Sequence, residues 1–105
     1  MKVAAIMGTN RKGRTREVVE KIDSIFQAKG ELAFEYVYLK DKDIRFCTGC
    51  HNCIFVGEDK CPIKDDMRGI EETMMDADAV IFATPAYMMN VTAIMKNFMD
   101  RVAYN

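Results

Sequence analysis

The chain has 105 residues, half of them hydrophobic, and its 15 basic and 16 acidic residues leave a formal net charge of −1. This length is enough for one small domain and excludes a second. The charges offer no broad basic field for nucleic acid, and no apolar run is long enough to span a bilayer or to form a signal peptide. We therefore expect a cytoplasmic protein with a small-molecule partner, bound to neither nucleic acid nor membrane.

The first part of the chain alternates between strand and helix patterns. Residues 3–7 form a short apolar run that ends at Gly8, which is typical of a parallel strand buried on both faces. A helix is predicted from Thr15 to the stop signal at Gly30, and a second strand over residues 34–39. The apolar residues at helical spacing are Val18, Val19, Ile22, Ile25 and Phe26.

The second part continues the alternation. Asp65 or Asp66 can cap the start of a helix whose apolar positions share one face. Residues 79–83 predict a third buried strand, closed by Thr84-Pro85, and residues 94–102 predict a final helix. The apolar positions of the capped helix are Met67, Ile70, Met74 and Ala77.

Strands that alternate with helices predict an α/β fold with a parallel sheet covered on both faces. In such sheets ligands bind at the carboxyl ends of the strands. The loops at residues 8–15, 47–61 and 85–91 each follow a predicted strand, so we expect all three to meet at one edge of the sheet.

All four cysteines lie within residues 47–61, at Cys47, Cys50, Cys53 and Cys61. CxxC steps let a turning backbone direct successive sulfurs into one concavity, and a fourth thiolate can complete a four-sulfur site. This pattern suits a [4Fe-4S] cluster better than zinc, whose sites usually join two separate CxxC pairs across a longer spacer. A metal-free redox loop that can form a disulfide explains the same spacing. Both interpretations stay open, and His51 is assigned no role.

The segment GTNRKGRT at residues 8–15 is a candidate phosphate site because it joins a buried strand to a helix. Free amides at the helix start, the hydroxyls of Thr9 and Thr15, and the charges of Arg11 and Arg14 could bind a phosphate monoester. The segment matches neither GxxxxGK[ST] nor GxGxxG. In isolation, a solvated turn explains it equally well.

Together these segments resemble the flavodoxin-like NADPH-dependent FMN reductases, and among them they look most like the iron-sulfur flavoproteins. The matching segments are GTNRKGRT for the phosphate loop, CTGCHNC and CPIKDDM for the cysteine motif, and TPAYMMNVTAIMKNFMDR for the flavin segment. The resemblance implies that the FMN phosphate is held by Thr9, Arg11, Arg14 and Thr15. It implies that the isoalloxazine is lined by Pro85, Tyr87, Met88, Asn90 and Val91.

The resemblance further implies an oxidoreductase that uses FMN, with NAD(P)H or a redox protein as its partner. It would be a flavin or quinone-type reductase, or an electron-transfer iron-sulfur flavoprotein with its cluster on Cys47, Cys50, Cys53 and Cys61. The alternatives are a module that transfers electrons or binds metal without turnover, and a cofactor-free fragment. Asp100 and Arg101 are interpreted as a local ion pair.

Family members continue beyond the segment that ends in Asp100-Arg101. We therefore expect residues 1–105 to form a single flavodoxin-like domain, the amino-terminal part of the family's full domain, truncated after the third strand and its helix. The third strand would then be an edge strand, which favours association. A homo-oligomer is expected, in which a second copy pairs with this edge and buries Ile94, Met95, Phe98 and Met99.

Overall fold

The computed structural model describes residues 1–9, 11–30, 33–57 and 61–102. Three parallel strands, β1 (Lys2–Met7), β2 (Ala33–Tyr38) and β3 (Ala79–Ala83), form one sheet in the order β2-β1-β3. The predicted α/β fold, its parallel sheet and the edge position of the third strand are therefore confirmed within the described residues.

The helices cover both faces of this sheet, as predicted. α1 (Arg14–Lys29) packs on one face, while α3 (Met67–Asp76) and α4 (Ala93–Arg101) pack on the other. Two short elements follow β2 that no sequence pattern predicts. They are a 3₁₀ helix at Leu39–Asp41 and the four-residue helix α2 (Asn52–Phe55) inside the cysteine loop.

The central strand β1 is buried because it has a strand on each side and helices above and below. Its side chains alternate between two clusters. Ile6 lies in the α3/α4 cluster with Met95 and Phe98, whereas Ala5 and Met7 lie in the α1 cluster with Val19 and Ala83. This arrangement explains why residues 3–7 read as a continuous apolar run.

The apolar face of α1 is only partly covered. Val19 is buried against the sheet, but Val18, Ile25 and Phe26 are exposed. α1 is the single helix that packs on this face among the described residues, so no neighbouring helix shields those positions. The helix itself extends almost as predicted and ends at Lys29, with Gly30 as its cap residue.

α3 begins at an aspartate pair, as predicted, but Asp65 and Asp66 make different contacts there. Asp66 occupies the cap position but makes no side-chain bond to the helix. The carboxylate of Asp65 accepts the amide of Met67 at 3.1 Å, and Asp66 accepts the amide of Asp43 at 2.6 Å.

No described helix combines the length and hydrophobicity required to cross a bilayer.

Candidate functional site

The loop between β1 and α1 is fixed to the end of β3. The amide of Gly8 donates to the carbonyl of Ala83 at 2.7 Å. A Cβ atom at Gly8 would lie 2.9 Å from the Cβ of Met95, so the close approach of this loop to α4 requires glycine. Thr9 is buried, and its hydroxyl donates to the carbonyl of Arg11 at 3.0 Å and accepts the Arg11 amide at 3.3 Å. Thr9 therefore shapes the loop.

An open cavity of about 410 Å³ lies at the start of α1. The cap residue is Gly13, which has no side chain to bond the first amides of α1, and the start of a helix carries amide donors that suit an anion. The cavity brings together all four residues predicted to hold phosphate, and Pro85 from the loop after β3. It also contains Glu17, whose negative charge opposes an anion and was not predicted to lie there. The lining residues are Thr9, Arg11, Gly13, Arg14, Thr15, Glu17 and Pro85.

Thr92 joins the loops that follow β1 and β3, a role that sequence reasoning missed. This residue is 1% exposed, and its hydroxyl donates to the carbonyl of Gly8 at 2.5 Å. The same oxygen accepts the amide of Met95 at 3.3 Å and so caps α4, while the Thr92 amide donates to the hydroxyl of Thr84 at 3.2 Å. The available signal was a threonine directly before an apolar helix.

The segment predicted to line the flavin ring forms a two-residue hairpin. Tyr87 and Asn90 exchange two backbone hydrogen bonds, at 2.9 and 3.1 Å. Met88 and Met89 between them have φ values of 49° and 64°, as in a type I′ turn, and are almost fully exposed. Of the predicted ring contacts, Tyr87, Met88 and Asn90 therefore lie on the exposed hairpin. Val91 instead packs against the α3/α4 cluster.

The four cysteines line a second cavity, also of about 410 Å³. All four are free thiols. Within the described part of the chain, no three histidine, cysteine or carboxylate side chains converge closely enough to hold a metal ion. The donor set suits a [4Fe-4S] cluster, since four cysteine sulfurs border one space. The cysteines are Cys47, Cys50, Cys53 and Cys61.

The prediction that all three loops meet at one edge is wrong for the cysteine loop. After β2, two side chains of α4 hold the chain beside that helix: Asn97 donates to the carbonyl of Ile44 at 2.9 Å, and Arg101 donates to the carbonyl of Arg45 at 2.9 Å. The cysteine cavity therefore borders the carboxyl end of α4, whereas Thr92 places the cavity at the start of α1 near the amino end of α4. A helix of nine residues separates these ends by about 13 Å.

A buried ion pair stands beside the cysteine cavity. Arg101 Nη1 lies 2.6 Å from Asp65 Oδ2, and the two side chains are 5% and 1% exposed. Burial alone would raise the pKa of Asp65, but the hydrogen bond from Arg101 and the amides of Arg45 and Met67 outweigh it and hold that pKa below its usual value. The interpretation of Asp100 and Arg101 as a pair with each other is wrong. Asp100 pairs with Lys96, one turn away on the exposed face of α4.

Comparison with known proteins identifies the family. The family model described as NADPH-dependent FMN reductase matches residues 1–105. The chain belongs to this family. The resemblance inferred from the loop motifs is thereby confirmed.

Two similar relatives are iron-sulfur flavoproteins of Archaeoglobus fulgidus. One is 38% identical over 103 residues, which cover 97% of this chain and 46% of the relative. The other is 40% identical over 101 residues, which cover 96% of this chain and 48% of the relative. The chain thus spans about half the length of these relatives.

A solved structure confirms the flavodoxin-like fold of this family member. It is the crystal structure of RosB with bound intermediate OHC-RP, 8-demethyl-8-formylriboflavin-5'-phosphate. The TM-score is 0.80 at 19% sequence identity, and the match covers 98% of this chain and 42% of that chain. At this identity the likeness concerns the fold.

Proposed function

We propose that this chain binds FMN and forms part of an NAD(P)H-dependent oxidoreductase. The observation that carries the proposal is the cavity at the start of α1, where Arg11 and Arg14 border the same space as the first residues of a helix whose start has no side-chain cap from Gly13. A phosphate monoester needs both positive charge and amide donors, and a helix start supplies the amides. Membership of the NADPH-dependent FMN reductase family supports FMN as the source of that phosphate.

The side chains around this cavity would bind and orient the cofactor. Arg11 and Arg14 would pair with the phosphate, and Thr15 would add a hydroxyl donor. Pro85 borders the phosphate cavity, so the ring would extend from there along the hairpin at Tyr87 and Met88. Bound FMN would supply the hydride and electron chemistry, which leaves the protein to position the ring and exclude competing reactions.

We also propose that the cysteine loop holds a [4Fe-4S] cluster through Cys47, Cys50, Cys53 and Cys61. Support comes from the placement of the four thiols around one cavity and from the names of the two Archaeoglobus relatives. Free thiols grouped on one loop also suit a reducing compartment such as the cytoplasm. The iron content and visible spectrum of the anaerobically reconstituted complete gene product test this part of the proposal.

Replacing Arg11 with alanine is expected to weaken FMN binding by about 1.5 to 3 kcal/mol, the range for a hydrogen bond to a charged group. Riboflavin lacks the phosphate, so its affinity should change little. Fluorescence titration with both ligands measures the difference. Lys12→Ala is the matched control, because this neighbouring cation does not line the cavity. Equal losses for FMN and riboflavin would contradict the phosphate assignment.

We further propose that residues 1–105 are the amino-terminal part of a longer flavodoxin-like domain and that the free edge of β3 is paired in the functional protein. β3 has β1 on one side and no strand on the other within the described residues, and Phe82 on it is exposed. An unpaired apolar edge favours association. The expected burial of four α4 residues by a second copy needs correction, since Met95 and Phe98 are already covered by α3 and the sheet.

Light scattering at low micromolar concentration is expected to show a homo-oligomer. Phe82→Lys should shift the protein toward monomer, because a charge at an edge strand opposes pairing. Val18→Lys, on the opposite face of the sheet, should have little effect. A monomer that persists on concentration of the unmutated protein would show that the β3 edge is covered within one polypeptide.

A further inference from the structure

The ion pair between Asp65 and Arg101 connects three segments around the cysteine cavity. Asp65 lies just before α3, and Arg101 is the last residue of α4. The Arg101 guanidinium also donates to the carbonyl of Arg45, at 2.9 Å, on the segment that leads into the cysteine loop. That bond is made by Nη1, and the Nη2 atom of Arg101 lies 3.9 Å from the sulfur of Cys61 and 3.2 Å from Asp65 Oδ1.

A pair buried this deeply needs a reason beyond stability. Removing two charges from water costs about as much as their attraction returns, and well-packed apolar side chains often replace such pairs without loss. The rigid fork of Arg101 makes four hydrogen bonds, two to the Asp65 carboxylate, one to a carbonyl and one to a sulfur, whereas a lysine ammonium has only three donors. Among the described contacts, Arg101 is the cation with a hydrogen bond to a cysteine sulfur.

We propose that Arg101, held by Asp65, is a positioning residue of the cysteine site that orients Cys61 and sets the reduction potential of the cluster. This inference rests on the cluster assigned under the proposed function. Hydrogen bonds to cluster sulfurs and the net charge around them are main determinants of iron-sulfur potentials. A donor and a positive charge beside Cys61 favour the state that carries the extra electron.

Substitutions of Arg101 and of Asp65 are expected to shift the reduction potential of the cluster in opposite directions. Arg101→Gln removes the hydrogen bond to Cys61 and one positive charge, so the potential should fall. The potential falls whether the unpaired Asp65 stays ionised or takes up a proton, because the hydrogen bond to the Cys61 sulfur is lost in both cases. Asp65→Asn leaves the positive charge of Arg101 uncompensated, so the potential should rise. If the pair had only a structural role, the reduction potentials of both variants would shift in the same direction, or both variants would release iron.

The experiment is an anaerobic redox titration of the iron-loaded complete protein, followed by visible and electron paramagnetic resonance spectra, with iron measured for every variant. The expected shift is about tenfold in the electron-transfer equilibrium, or about 59 mV for a one-electron couple, in each direction. Arg101→Lys, which keeps the charge without the fork, should lie between Arg101→Gln and the unmutated protein. Arg16→Gln is the control, because Arg16 pairs with Glu20 at 2.7 Å on α1, away from the cysteines.

Each outcome decides between the possibilities. Iron retained with opposite shifts supports the inference, and iron retained with unchanged or parallel shifts overturns it. If the unmutated protein binds no iron, the cluster assignment fails, and the positioning role is then judged in the metal-free protein. There Arg101→Gln should speed hydrogen exchange at the Arg45 amide, which donates to Asp65. Unchanged exchange would overturn the positioning role as well.

Discussion

Replacing Phe98 with alanine is expected to destabilise the protein by about 3 to 5 kcal/mol. The side chain is 0% exposed and lies in the cluster between the sheet and the α3/α4 layer, against Ile6 and Met95. Truncation removes apolar contacts and leaves a cavity that the neighbouring strand and helix cannot fill without shifting. Domains of ordinary stability have about 5 to 15 kcal/mol in total, so the loss is a large share of it.

Urea unfolding followed by circular dichroism measures this change through the midpoint at constant m-value. Met99→Ala is the matched control, because Met99 is the next residue on the same helix and is 44% exposed. Its cost should stay below about 1 kcal/mol. Equal costs at the two positions would show that Phe98 is not the centre of this cluster.

Replacing Cys50 with serine is expected to abolish stoichiometric iron binding. Iron-sulfur clusters are held by thiolates, and a serine hydroxyl is a poor substitute for one of four sulfurs. Cys50 is exposed and lies outside both core clusters, so the helix and strand content should stay the same. Iron analysis after anaerobic reconstitution, together with far-ultraviolet circular dichroism, measures both expectations.

His51→Ala is the control for this substitution, since His51 follows Cys50 directly and borders the same cavity without an assigned role. Its iron content should match that of the unmutated protein. Iron retained in Cys50→Ser but lost in His51→Ala would show that the ligand set is wrong. No iron in the unmutated protein would leave the metal-free redox loop as the better interpretation.

The sheet and its large helices were predictable because each follows from a local pattern. A continuous apolar run is typical of a strand covered on both faces, and residues 3–7 show one because β1 has neighbours on every side. The predicted helix from Thr15 corresponds to α1, which starts at Arg14, within the usual uncertainty of helix ends.

The route of the cysteine loop could not be predicted, because it depends on polar pairs far apart in the sequence. The sequence indicated Asp65 only as a possible helix cap and Arg101 only as a partner of Asp100, yet Asp65 and Arg101 form a buried pair that fixes Arg45 and so places the loop beside α4. The helix α2 was missed for a related reason. Four residues are too few for helical periodicity, and the loop around them determines their conformation.

The candidate phosphate site was predictable as a strand, a loop and a helix start with suitable donors. The sequence could not show that the hydroxyl of Thr9 is bonded to the backbone of Arg11, or that Thr92 joins two loops. Single threonines occur throughout proteins, and their hydrogen bonds depend on which loops the fold brings together. The packing of Val91 against the α3/α4 cluster could not be predicted for the same reason.

The central position of β1 has a consequence for synthesis on the ribosome. β1 pairs with β2 soon after both emerge, but its other partner, β3, begins at Ala79 opposite Val3. About forty residues separate β2 from β3, so at about 5 to 20 residues per second β1 waits roughly 2 to 8 seconds with one edge open. During that interval the strand that is most deeply buried among the three described strands is available to other nascent chains. Chaperone dependence during translation should therefore be greatest before Ala83 leaves the exit tunnel.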